Sequence, residues 1–153
     1  MNEVLVRGRQ AVVLLVEDND DDVELTRIGF AQAHFAVDLH HVANGDDCLA
    51  FLRRQGRFGD APAPDIILLD LNMPGLSGIE VLQEITADPA LRHHIVVVLT
   101  SSKADEDVLR SYKLRCSSYL VKPVSFDAFA KMVQSLGDYW FTLVTLPPSG
   151  SVT

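Results

Sequence analysis

Residues 11–22 read AVVLLVEDNDDD, in which six apolar residues are followed by six polar ones, five of them acidic. A continuous apolar run rich in Val and Leu is typical of a parallel strand that is buried on both faces. The stretch therefore predicts a buried strand that ends abruptly at a polar, strongly acidic edge.

Short apolar runs of this kind recur five times along the chain. They start near Ala11, Ala36, Asp65, Ile95 and Ser118, at spacings of 23 to 30 residues. Each spacing leaves room for one helix and two loops, so the runs predict five strands joined by helical crossovers.

The segments between the runs carry helical patterns. In the first of them, Val23, Leu25, Ile28 and Phe30 recur along a predicted helix that has acids at its start. The predicted helices are Asp20–Ala33, Asp46–Gln55, Ser77–Asp88 with a capping box to Glu80, Asp105–Leu114, and a last one capped by Ser125. Five alternating strands and helices predict an α/β fold, a (βα)5 doubly wound five-stranded parallel sheet with helices on both faces.

Composition narrows the possible partners and the compartment. The 153 residues suit one domain, expected at residues 11–140, with a flexible segment at 1–10 and the helix end and tail at 141–153. Lys and Arg number 13 against 21 Asp and Glu, and this net charge of −8 argues against nucleic acid or an anionic membrane surface as a partner. No run is long enough to span a membrane, and the lone cysteines Cys48 and Cys116 are expected to be reduced, so we expect a cytoplasmic protein.

Polar residues follow four of the five predicted strands. They are Glu17 and Asp18 after the first strand, Asp70 at the end of the third, Thr100 at the end of the fourth and Lys122 after the fifth. Ligands of doubly wound sheets bind at the carboxyl ends of the strands, so these side chains are expected to converge. After the second strand, Asn44-Gly45 is predicted to form a turn.

Three converging carboxylates need a positive partner, because two such charges about 5 Å apart repel by roughly 3 kcal/mol. Oxygen ligands with open positions suit Mg²⁺ together with a phosphate group. A solvated acidic rim with Lys122 as a surface counter-charge is the alternative, but five complementary groups at strand ends favour a site. A dinucleotide site is excluded, since the turn after the first strand has no glycine. The pairs His40-His41 and His93-His94 are predicted to be structural or solvated histidines and not metal ligands.

The ordered set of motifs resembles a known family. Glu17-Asp18, Asp70 within DLNMPGLSG, Thr100-Ser101, and Tyr119 three residues before Lys122-Pro123 are similar to CheY-like response regulator receiver domains, which have a flavodoxin-like fold. The similarity covers about residues 11–140. Leu25-Thr26, Tyr139-Trp140 and Leu146-Pro147 further resemble the response regulators that pair with bacterial phytochromes.

The resemblance implies a role in two-component signalling. Asp70 would be the nucleophile that takes a phosphoryl group from a sensor histidine kinase, for which a bacterial phytochrome is the implied example. Asp18 and Asp70 would bind Mg²⁺ directly, Glu17 through a water molecule, and Asn72 through its backbone carbonyl. The protein would be a phosphoacceptor that assists its own phosphorylation and dephosphorylation, not an enzyme, and would have no output domain of its own.

The resemblance also implies a switch. Lys122 and Thr100 would bond phosphoryl oxygens, and movement of Thr100 would let Tyr119 turn inward and alter the surface of the fourth strand and helix. The Lys122-Pro123 peptide is expected to be cis. Leu114-Arg115-Cys116 departs from the family pattern, which has Gly followed by Ala after the fourth helix.

The last helix carries a heptad-like apolar seam of Phe126, Phe129, Val133, Leu136, Trp140 and Leu143. A helix from Ser125 to Leu146 would be about 33 Å long, longer than strands of about 17–20 Å. Trp140, Phe141, Leu143 and Val144 would then be uncovered, which predicts a homodimer. The alternative is that these residues fold back onto their own domain.

Two other functions remain open at this point. A Mg²⁺-dependent phosphohydrolase with an aspartyl-phosphate intermediate is one, although such enzymes usually carry an acid two residues after the nucleophile, where this chain has Asn72. A degenerate receiver that only binds partners is the other, although every chemical residue is present.

Overall fold

A computed structural model describes residues 10–33, 36–73, 75–100 and 118–143, without the side chains of residues 118–119 and 139–143. The strands are β1 (Ala11–Val16), β2 (Val37–Val42), β3 (Ile66–Asp70), β4 (Val96–Thr100) and β5 (Ser118–Val121). The helices are α1 (Asp20–Ala31), α2 (Gly45–Arg53), α3 (Gly78–Ala87) and α4 (Phe126–Leu143), with a short 3₁₀ turn at Gly56–Phe58. The predicted Asp105–Leu114 helix and the Leu114-Arg115-Cys116 loop lie outside the described residues.

The five strands form one parallel sheet in the order β2-β1-β3-β4-β5. Alternate residues of β1 enter two separate cores. Leu14 and Val16 pack with residues of α2 and α3, whereas Val13 and Leu15 pack with residues of α1 and α4. Helices therefore cover both faces, and the predicted doubly wound α/β fold is confirmed.

The buried face of α1 includes a polar residue and leaves an apolar one outside. Val23, Thr26 and Phe30 are buried, while Ile28 is 44 % exposed. The spacing of three and four residues places the buried three on one stripe and turns Ile28 away from it. Thr26 tolerates burial because its hydroxyl donates to the carbonyl of Asp22, at 2.7 Å.

Helix starts follow local side-chain chemistry. The predicted capping box is confirmed, since Ser77 and Glu80 exchange side-chain and backbone hydrogen bonds of 3.2 Å at the start of α3. The prediction that Asn44-Gly45 forms a turn was wrong. Asn44 is the N-cap of α2 and accepts from the backbone N–H of Asp47 at 2.8 Å, so the helix begins directly after the loop.

Part of the apolar seam of α4 packs against the domain's own core. Phe129 and Val133 are buried against the sheet and Leu136 packs at its margin, whereas Phe126 is exposed at the helix start. The side chains of Trp140, Phe141 and Leu143 lie outside the described residues, as does all of Val144. Among the helices that the structure describes, none combines the length and apolarity that crossing a membrane requires.

His94, which precedes β4, makes the stability of this fold depend on pH. Burial, together with the adjacent His93, lowers its pKa from 6.5 to about 4 despite a hydrogen bond with the Pro64 carbonyl. The unfolded chain therefore binds a proton between pH 6.5 and 4 that the folded chain does not, and stability falls as pH drops through this range.

We expect wild type to lose about 1–3 kcal/mol more unfolding free energy than His94→Gln between pH 7 and 4. Urea unfolding at a series of pH values measures this difference. His93→Gln, which leaves the burial of His94 in place, should retain most of the wild-type dependence. Parallel curves for wild type and His94→Gln would contradict the assignment.

Candidate functional site

The polar residues predicted at the strand ends meet at the carboxyl edge of the sheet. Glu17 directly follows β1, Asp70 ends β3, Thr100 ends β4, and Lys122 directly follows β5. The register pairs Asp70 with Leu99 and Thr100 with Val121, so neighbouring strands end almost level. The parallel topology thus brings together residues that are up to 105 positions apart in the chain.

Three carboxylates of this edge lie close together. Glu17, Asp18 and Asp70 each offer an oxygen, and these atoms are within 4.8 Å of one another. Glu17 is 1 % and Asp70 3 % exposed, while Asp18 faces solvent. Two buried carboxylates at this distance are unfavourable unless a cation accompanies them.

Lys122 supplies a positive charge inside the cluster. Its ammonium donates to Glu17 Oε1 at 2.6 Å and to Asp22 Oδ2 at 2.9 Å, and it lies 3.6 Å from Asp70 Oδ2. Only 12 % of the side chain is exposed. The prediction of a cis Lys122-Pro123 peptide was wrong, because the described residues contain no cis peptide bond. A trans bond is the lower-energy isomer before proline, and the lysine reaches the carboxylates with it.

Asp22 is a residue of this cluster that the sequence analysis missed. It lies in the first turn of α1, within the acidic stretch that follows β1. Its position in the sequence could have indicated this role, because a side chain in the first turn of the helix that follows a strand can lie back towards the edge of the sheet.

The electrostatics follow from burial and crowding. Burial and the neighbouring Asp70 raise the pKa of Glu17 to about 8, although Lys122 acts in the opposite direction. Burial disfavours the charged form of Lys122, but its hydrogen bonds with Glu17 and Asp22 prevail and raise its pKa. Lys122 brings one positive charge to the carboxyl groups of Glu17, Asp18 and Asp70, so this edge favours an additional cation.

Asn72 connects the carboxylate of Asp70 to the hydroxyl of Thr100. Its backbone N–H donates to Asp70 Oδ1 at 3.1 Å, and its side-chain amide donates to Thr100 Oγ1 at 3.2 Å. Thr100 is fully buried at the end of β4. One residue therefore links the ends of the third and fourth strands. Tyr119 belongs to β5 by its backbone, but its side chain lies outside the described residues.

The donor set fits a hard divalent cation. Three carboxylates from the loop after β1 and the end of β3 converge, and the ammonium of Lys122 already lies among oxygen atoms of this edge. Oxygen donors without sulfur or imidazole are those that Mg²⁺ and Mn²⁺ prefer. The residues present are therefore suited to such an ion.

Comparisons with known proteins agree with this geometry. The sequence profile of the response regulator receiver domain matches residues 13–134. Response regulator Rcp1 of Synechocystis sp. (strain ATCC 27184 / PCC 6803 / Kazusa) is 40 % identical over 136 residues, which are 89 % of this chain and 92 % of Rcp1.

Two solved structures are similar along most of the chain. The phosphorylated cyanobacterial phytochrome response regulator RcpA has a TM-score of 0.83 at 36 % identity, covering 90 % of this chain and 99 % of RcpA. The Mn²⁺-bound form of Rcp1 has a TM-score of 0.82 at 40 % identity, with coverages of 90 % and 99 %.

Close packing of α3 against the backbone of Asp70 limits residue 78 to glycine. A Cβ at Gly78 would lie 2.5 Å from Leu71 Cα and 2.9 Å from the carbonyl carbon of Asp70, and both are backbone atoms. We expect Gly78→Ala to lower the unfolding free energy by about 1–3 kcal/mol, because helix and strand end must separate.

Chemical denaturation measures this change. Gly59→Ala is the matched control, since its Cβ would meet nothing closer than the Gly56 oxygen at 3.7 Å and its φ of −55° suits alanine. Equal unfolding free energies of the two variants would show that α3 does not pack closely against the backbone of Asp70.

Proposed function

The chain belongs to the response regulator receiver domain family, and from this membership we propose that Asp70 accepts a phosphoryl group from a sensor histidine kinase. The observation that carries the proposal is the buried carboxylate of Asp70 at the end of a central strand, with Glu17 and Asp18 beside it and Lys122 at 3.6 Å. We assign the receiver domain to residues 11–140.

In the proposed reaction, a carboxylate oxygen of Asp70 attacks the phosphorus atom of a phosphohistidine. The new oxygen–phosphorus bond forms as the nitrogen–phosphorus bond breaks, and the electron pair of that bond returns to the imidazole. Asn72 holds Oδ1 of Asp70 through its N–H, whereas Lys122 lies near Oδ2. The two oxygens therefore differ, and Lys122 is suited to pair with the transferred phosphoryl group as its charge develops.

Asp18 and Asp70 would hold Mg²⁺ directly, with Glu17 acting through water and Asn72 through its carbonyl. The bound ion would supply charge stabilisation at the phosphoryl oxygens. The carboxylate cluster supports this assignment, and so does the relative Rcp1, of which a Mn²⁺-bound structure is known.

We further propose that Thr100 and Tyr119 form the switch. After phosphorylation the Thr100 hydroxyl would bond a phosphoryl oxygen, and its contact with the Asn72 amide, at 3.2 Å, would then rearrange. Tyr119 would turn into the space that Thr100 leaves and change the surface formed by β4 and the helix that follows it. A local charge would in this way bias a two-state element.

The relatives suggest which kinase acts on the chain. RcpA is a phytochrome response regulator, and bacteriophytochrome response regulators are among the similar structures. We propose a bacterial phytochrome kinase as the donor, in the cytoplasm. A phosphohydrolase is not proposed, because Asn72 donates an amide hydrogen bond and has no carboxyl group to act as an acid.

Phosphorylation of Asp70 is directly testable. Wild type incubated with Mg²⁺ and a small acyl phosphate should gain the mass of one phosphoryl group, and Asp70→Asn should not. Asp60→Asn, at an exposed acid of a loop, is the matched control and should behave as wild type. Equal gain in wild type and Asp70→Asn, or no gain in wild type, would overturn the proposal.

A homodimer through the last helix is proposed on the charge-free sequence of residues 139–153 and on the apolar residues Trp140, Phe141, Leu143 and Val144. Sedimentation equilibrium at tens of micromolar protein should give a dimer mass for wild type and a monomer mass for Trp140→Glu. The exposed position Lys131, in the first half of the same helix, provides the control Lys131→Glu. A monomeric wild type would exclude the dimer at this concentration.

A further inference from the structure

Lys122 has three carboxylates nearby and bonds to two of them. Its Nζ donates to Glu17 at 2.6 Å and to Asp22 at 2.9 Å, whereas the distance to Asp70 Oδ2, 3.6 Å, is too long for a hydrogen bond. The ammonium therefore forms an ion pair with the proposed nucleophile but no hydrogen bond to it.

Asp22 is held firmly where it makes this contact. Its backbone N–H donates to Oδ1 of the N-cap residue Asn19 at 3.0 Å, and its carbonyl accepts from the buried Thr26 hydroxyl at 2.7 Å. The side chain is 22 % exposed. A carboxylate in the first turn of a helix is also stabilised by the helix dipole. The first turn of α1 thus fixes the position from which Asp22 binds the lysine.

We propose that Asp22 is a positioning residue that keeps the Lys122 ammonium from hydrogen-bonding Asp70 before phosphorylation. The inference rests on the proposed phosphorylation of Asp70. Asp70 Oδ2, at 3.6 Å from Nζ against 2.9 Å for Asp22 Oδ2, is the carboxylate oxygen to which the released N–H would turn. An ammonium bonded to Asp70 would withdraw electron density from the attacking oxygen and compete with a divalent cation for the same carboxylate.

The contact also explains why one acid of a uniformly acidic stretch differs from its neighbour. Asp21 and Asp22 carry the same charge one residue apart, but Asp21 faces solvent and Asp22 is half-buried against Lys122. Removing either carboxylate changes the net charge equally. Only the loss of Asp22 releases the lysine. Comparing substitutions at Asp21 and Asp22 therefore distinguishes the effect of the Asp22–Lys122 hydrogen bond from the effect of net charge.

The variants Asp22→Asn and Asp21→Asn, each compared with wild type, test the inference. Mn²⁺ binding followed by electron paramagnetic resonance should be roughly three- to tenfold weaker in Asp22→Asn than in Asp21→Asn, as the release of one partly buried ion pair implies. The initial rate of phosphorylation by a small acyl phosphate at saturating Mg²⁺ should likewise be lower in Asp22→Asn than in Asp21→Asn. Asp22→Glu, which restores a carboxylate, should recover most of both values.

The same substitutions in a variant without the lysine show whether the effect of Asp22 on Mn²⁺ affinity depends on Lys122. In Lys122→Met, Asp22→Asn and Asp21→Asn should bind Mn²⁺ equally, since the lysine that Asp22 positions is gone. Equal affinities of the two variants with Lys122 present, or a difference that persists in Lys122→Met, would overturn the inference. If wild type takes up no phosphate but the Mn²⁺ affinities behave as expected, the proposed function fails and the hold of Asp22 on Lys122 stands.

Discussion

The site depends on one constraint: two carboxylates from adjacent strands, Glu17 and Asp70, are almost completely buried next to each other. Buried like charges must be neutralised by protons, by a metal ion or by a cationic side chain. Lys122 is that side chain, and it comes from the far edge of the sheet beyond β4. The strand order is therefore as necessary to the chemistry as the residues are, because it brings a lysine at the end of β5 to an acid at the end of β1.

Features that depend on short sequence patterns were predictable, whereas features that depend on tertiary packing were not. The strands and the Ser77 capping box depend on short patterns, and these patterns place them correctly. Which face of α1 is buried is not contained in a local pattern, because it is decided by where α4 packs; Ile28 is exposed and Thr26 is buried. The isomer of Lys122-Pro123 was expected from a family resemblance, and the structure has the isomer that local energetics favour.

The sequence predicts which residues meet at the strand ends of the candidate site, but not which hydrogen bonds they form with one another. Convergence of Glu17, Asp70 and Lys122 follows from parallel topology, which the sequence patterns indicate. The contact between Lys122 and Asp22 does not, since four further acids follow Glu17 within residues 18–22 and only the path of α1 selects which of them reaches the lysine. Asn72 was expected to act through its carbonyl, whereas its backbone N–H and side-chain amide also make contacts that depend on the spacing between β3 and β4.

An amide at position 72 gives this edge of the sheet a hydrogen-bond donor where a carboxylate would only accept. A carboxylate there could not donate to Thr100 Oγ1, a hydrogen bond that Asn72 makes at 3.2 Å, and it would add another negative charge beside Asp70. It could also deprotonate a water molecule and speed hydrolysis of an aspartyl phosphate. Asn72 holds Thr100 and lacks that basicity, so the residue that links Asp70 to Thr100 adds no general base to the proposed phosphorylation site.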